Sequence, residues 1–150
     1  MMKFESVDSV LDFAIEKEQD AADFYNDLAG KVKGGMVEVF KGFAQEEMGH
    51  KSKLIGVKDG KRLLSSEKRI VDLKIGDHLA DIDTTGEIDY QRALIIAMKA
   101  EKNAYRLYTE LAGAVDDAGM KDLFLGLAQE EATHKLRFEI EYDDKILTEN

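Results

Sequence analysis

A chain of 150 residues with a formal net charge of −10 has the length of one domain and can bury a core without staples. The absence of cysteine excludes a disulfide framework, thiolate-held zinc or iron–sulfur sites and thiol nucleophiles, and the absence of proline removes the commonest helix breaker. The acidic balance, without clusters of Lys and Arg, argues against nucleic acid as a partner, and no apolar run nears the roughly 18 residues of a membrane span.

In chain order, the first predicted element is a helix over about 6 to 32, marked by Val7, Leu11, Ala14, Ala21, Tyr25, Leu28 and Val32 recurring at steps of three and four. Its charged start, Met1 to Val10, does not read as a signal peptide, so a cytoplasmic protein without a membrane partner is expected. Gly34-Gly35 supplies a turn into a second helix over about 35 to 58, with Met36, Phe40, Phe43, Leu54 and Val57 on its apolar face. Residues 59 to 86 hold Gly60, Gly76 and Gly86 without a sustained helical period. At about 3.3 Å per extended residue they can run the length of a bundle. A third helix over about 87 to 115 carries Leu94, Ala97, Ala104, Tyr108, Leu111 and Val115. A turn at Ala118-Gly119 leads to a fourth over about 118 to 146, with Met120, Phe124, Leu127 and Phe138.

The chain also repeats itself. Met36 to Lys53 matches Met120 to Arg137 at 9 of 18 positions, and Ala14 to Gly30 matches Ala97 to Gly113 at 7 of 17. The expected fold is therefore all-α, a single domain over 1–150 made of two duplicated antiparallel helix hairpins joined by a long crossover.

All four apolar stripes are interrupted at one level by potential metal ligands. Glu18 falls between Ala14 and Tyr25, and Glu101 between Ala97 and Tyr108. Glu47 and His50 fall between Phe43 and Leu54, and Glu131 and His134 between Leu127 and Phe138. A step of three residues keeps each Glu and its His on one helix face. Four carboxylates converging in an apolar interior are costly unless cations compensate them, and two divalent ions would do so while each imidazole supplied a nitrogen. A Glu from each of two helices and Glu-x-x-His from each of the others is the ligand pattern of di-iron and di-manganese bundles. A lone Glu-x-x-His is ordinarily surface charge; two copies in duplicated settings are not. Tyr25 and Tyr108, two turns beyond the single Glu residues, fit either plain core or donors to a ligand carboxylate. Glu46 and Glu130 read as solvated surface, although each could touch the His four residues on. His78 reads as no ligand.

The segments EKEQDAADFY and AEKNAYRLY, with AQEEMGH and AQEEATH, resemble the rubrerythrin-like branch of the ferritin-like superfamily over nearly the whole chain. The resemblance implies a ferritin-like four-helix bundle with Glu18 and Glu101 as terminal carboxylates, Glu47 and Glu131 as bridges, and His50 and His134 as nitrogen ligands of two iron ions. Two departures matter. Rubrerythrins commonly carry a four-cysteine rubredoxin-like module, impossible here, so electrons must come from a separate donor protein. They also have a further Glu three residues beyond the third helix's ligand, where this chain has Ala104.

The expected activity is a di-iron oxidoreductase reducing hydrogen peroxide, or dioxygen, as in oxidative-stress defence. The alternative is an iron-binding ferroxidase or storage protein without peroxidase turnover. Manganese or zinc would also suit these ligands. A homodimer is expected from the resemblance and from the prevalence of two-fold oligomers.

Overall fold

The computed structural model describes residues 2–4, 6–60, 71–73 and 82–144. Four helices dominate it: α1 Val7–Ala29, α2 Met36–Gly60, α3 Tyr90–Ala114 and α4 Ala118–Tyr142. The starts of α1, α3 and α4 follow from side chains that satisfy otherwise orphaned first-turn amides. Ser6 caps α1 through a reciprocal pair with Ser9. Asp89 accepts from the Arg92 amide to start α3, and Asp117 from the Met120 amide to start α4.

These caps correct two expectations. The α3–α4 turn is Val115 to Asp117, while Ala118 and Gly119 already belong to the first turn of α4, because the capping carboxylate sits just before them. The α1–α2 turn opens earlier than expected, at Gly30, and passes through Gly34 at φ 67°, a left-handed conformation that glycine adopts without penalty.

A three-residue antiparallel pairing accompanies the helices, β1 Met2–Phe4 against β2 Val71–Leu73, with Lys3 opposite Asp72. Most of the expected crossover, including His78, lies outside the described residues.

The helices bury their stripes in two separate apolar clusters. One joins Val10, Leu11 and Ala14 of α1 to Leu54 of α2, Tyr108 and Leu111 of α3, and Met120, Phe124 and Leu127 of α4. The other joins Tyr25 and Leu28 of α1 to Phe40 and Phe43 of α2, Leu94 and Ala97 of α3, and Phe138 of α4. The start of α1 thus shares an end of the bundle with the close of α2, the close of α3 and the start of α4, which makes each hairpin antiparallel. The layer between the two clusters holds Glu18, Glu47, His50, Glu101, Glu131 and His134, all buried.

Candidate metal centre

Every helix delivers its ligand candidates from the turn where one apolar cluster gives way to the other. The backbone places them there because the steps from Ala14 to Glu18 and from Ala97 to Glu101 are four residues, about one helical turn. The buried groups form two sets. Glu18, Glu47, His50 and Glu131 bring one oxygen or nitrogen each within 4.8 Å of one another, and so do Glu47, Glu101, Glu131 and His134. Glu47 and Glu131 belong to both sets, so the six residues converge on two adjacent positions with a shared pair of carboxylates between them.

Hydrogen bonds leave much of this layer unsatisfied. Among the described residues, Glu18 Oε2, both oxygens of Glu47, Glu101 Oε2, both oxygens of Glu131 and His50 Nδ1 have no hydrogen-bond partner. His50 Nδ1 lies 3.1 Å from both Glu18 Oε2 and Glu131 Oε1, close but not aligned as hydrogen bonds. His134 Nδ1 lies 3.4 Å from Glu47 Oε1 and from Glu101 Oε1. Buried polar atoms without partners cost stability. Orphaned oxygens and a nitrogen, all directed into one layer, are the donor set that hard or borderline divalent cations take. The residues therefore fit a pair of such ions.

Burial dominates the electrostatics. It raises Glu18 to about 7, with the charge of Glu47 adding to it, and it also raises Glu47. Glu131 is held well above the ordinary carboxylate range by burial and by the neighbouring charges of Glu101 and Glu47. Burial works to lower the histidines, yet the adjoining carboxylates outweigh it. His50 is raised through Glu18, and His134 is pushed up to about 10 through Glu101 and Glu47.

The tyrosines pair crosswise. Tyr25 donates to Glu101 Oε1 and Tyr108 to Glu18 Oε1, each at 2.5 Å. Both are fully buried, and burial followed by the charge of the accepting Glu holds each phenol protonated far above its usual range. They act on ligand candidates, not merely as core.

Glu46 and Glu130 are solvated, as expected, but the imidazole each one touches is not the one four residues on. Their side chains are 44% and 51% exposed, yet Glu46 Oε1 reaches 3.5 Å from His134 Nε2 and Glu130 Oε2 3.3 Å from His50 Nε2. Each meets the imidazole of the opposite hairpin, because α2 and α4 run side by side and the outer imidazole nitrogens face across that seam. Sequence reasoning overlooked Arg137, whose Nη1 donates to both oxygens of Glu46 at 3.1 and 3.3 Å. The available signal was a mismatch between the repeats, since Lys53 stands where the second copy has Arg137.

A four-helix bundle with a buried carboxylate and histidine layer at mid-height defines the class, a ferritin-like helical bundle with a site able to hold metal. The family profile of rubrerythrin matches residues 9–142, and the chain belongs to the rubrerythrin family. A solved structure of a hypothetical protein from Pyrococcus furiosus is similar, with a TM-score of 0.66 and 27% identity over 92% of this chain and 89% of that one. No curated protein matches the sequence. Among the described residues no helix is long and apolar enough to cross a membrane.

Proposed function

We propose that this chain is a non-haem di-iron oxidoreductase that reduces hydrogen peroxide, or dioxygen, with electrons from a separate donor protein. The observation that carries the reading is the sharing of Glu47 and Glu131 by two four-ligand sets, which is what two ions bridged by carboxylates require. Glu18 and His50 would complete one position, Glu101 and His134 the other. A bound ferrous pair supplies the two electrons that, with two protons, convert peroxide to two waters.

The remaining work falls to the protein. Apolar clusters on both sides of the layer keep bulk water from the ligands. Tyr25 and Tyr108 fix the rotamers of Glu101 and Glu18 while retaining their protons. Ala104 is buried and follows Glu101 by three residues. It offers no carboxylate that could exchange with a ligand, so the reading assumes a symmetric set of four Glu and two His.

Mixing the diferrous protein with peroxide in a stopped-flow cell tests the activity, with dioxygen as the parallel arm. Oxidation much faster than that of free ferrous ion is expected, and an equal rate removes the peroxidase reading. Iron storage is the rival outcome; it requires a large multimer and many irons per chain. A homodimer with about two irons per chain, the assembly proposed here, is distinguished from that by native mass and elemental analysis.

A further inference from the structure

Repeat symmetry would make the two ion positions twins, but one of them carries an aromatic–arginine pair that the other lacks. Each imidazole has a carboxylate at its outer nitrogen, Glu46 behind His134 and Glu130 behind His50. Glu46 is held in turn by Arg137 through both of its oxygens. The guanidinium lies over the Phe43 ring, 4.5 Å from the centroid. Phe43 also meets the His134 ring edge-on, with centroids 4.9 Å apart at 86°. One aromatic ring therefore fixes both the imidazole and the arginine that steadies its carboxylate.

At the matching places the other half has Leu127 for Phe43 and Lys53 for Arg137. Leucine has no ring face for a cation, so the other half has nothing that fixes a charged side chain as Phe43 fixes the planar guanidinium, a group that stacks on aromatic faces where an ammonium does not. Lys53 is exposed and makes no ion pair among the described residues. Both halves carry one cation at this place, so the charge count is equal and the difference that remains is order. A ligand already held in its binding orientation loses less freedom when an ion arrives.

We propose that Arg137 is a positioning residue for one half of the centre. By holding Glu46 against His134, it makes the position of Glu47, Glu101, Glu131 and His134 the first to take up a divalent ion. The position of Glu18, Glu47, His50 and Glu131 fills second. The inference rests on the metal-centre reading above.

Its test is binding, not turnover. The metal-free full-length chain is titrated with cobalt(II), followed by ligand-field absorbance and calorimetry. Wild type is expected to bind in two steps whose dissociation constants differ about 10-fold or more. Arg137→Lys weakens the first step about 10-fold and leaves the second unchanged, in keeping with the 10–100-fold cost of disturbing a partner behind a metal-bound imidazole. Glu46→Gln acts on the first step and Glu130→Gln on the second, while His134→Ala removes the tight step and His50→Ala the weak one. Arg137 is half-exposed, so the variant's circular dichroism and metal-free melt match wild type. Two equal steps in wild type, or a loss in Arg137→Lys shared by both, overturn the proposal. A wild type that binds no cobalt overturns the metal-centre reading beneath it.

Discussion

Tyr25 on α1 donates its phenolic proton to Glu101 on α3, and its repeat counterpart Tyr108 returns the same bond to Glu18 on α1. The crossed pair ties the two hairpins together through carboxylates that also face the centre. Tyr25→Phe deletes one donor and leaves a buried carboxylate oxygen without it, at a cost of about 1–3 kcal/mol in the metal-free protein. Tyr108→Phe should cost about as much, because the repeat makes the surroundings alike. Urea unfolding measures both through the midpoint at constant slope. A Tyr25→Phe chain as stable as wild type would show the phenol to be filler.

Glu47 and Glu131 hold four of the buried atoms without hydrogen-bond partners among the described residues, so their stability effect should change sign with metal. Glu47→Gln keeps the shape and removes a charge that burial and Glu101 disfavour. The metal-free variant should melt above wild type, at about 2–4 °C per kcal/mol gained. Loaded with ferrous ion under argon, the variant should melt below wild type, because a weaker ligand forfeits stabilisation by mass action. Glu131→Gln should behave the same way. Equal shifts with and without iron would end the case for these residues as bridging ligands.

The buried cluster of candidate ligands was legible in the sequence because duplication marked it. Glu18, Glu47, His50, Glu101, Glu131 and His134 interrupt apolar stripes at matching places, and helical periodicity alone puts them on inward faces. Periodicity does not say which helix a side chain meets across the core. The hydrogen bond from Tyr25 to Glu101 and the approach of His50 Nε2 to Glu130 depend on α1 lying beside α3 and α2 beside α4, a tertiary fact. Glu46 and Glu130 look like surface for the same reason, since half of each side chain is solvated. The second turn differs for a local reason: Gly119 is a turn signal in the sequence, whereas the capping carboxylate of Asp117 sets the boundary. The pairing of Met2–Phe4 with Val71–Leu73 joins short segments far apart in sequence, which no local pattern reveals.

Phe138 tests the apolar packing beside the buried layer. It stacks on Tyr25 at 6.1 Å and on Phe40 at 6.0 Å, and lies 4.2 Å from Phe43, all between ring centroids. Phe138→Ala should cost about 3–5 kcal/mol, the usual loss on opening a cavity where a buried aromatic stood. Phe138→Leu restores the residue found at its repeat counterpart, Leu54, and should recover most of that loss in the same denaturation experiment.

The metal-free protein should lose stability as pH rises, with the loss traceable to named groups. Glu18 is raised from 4.5 to about 7, so between those values the folded chain holds a proton that the unfolded chain has released. Stability therefore falls as pH climbs through that window and levels off above it. His134 continues the trend higher up. It is raised from 6.5 to about 10, so its contribution is complete below about 6.5 and is lost as pH approaches 10. Self-repulsion in a chain of net charge −10 pushes in the same direction, but it is spread over the surface and weakens with salt. Glu18→Gln removes the first group together with the main influence that raises His50, and should flatten the slope of melting temperature between about pH 4.5 and 7 at high salt. Divalent metal reverses the balance, because ligands must shed protons to bind it. The gap in melting temperature between loaded and metal-free protein should then widen from pH 5.5 to pH 8, as calorimetric scans at fixed free metal would show. A gap that stays constant, with a Glu18→Gln slope equal to that of wild type, would mean that the buried carboxylates neither hold these protons nor exchange them for metal.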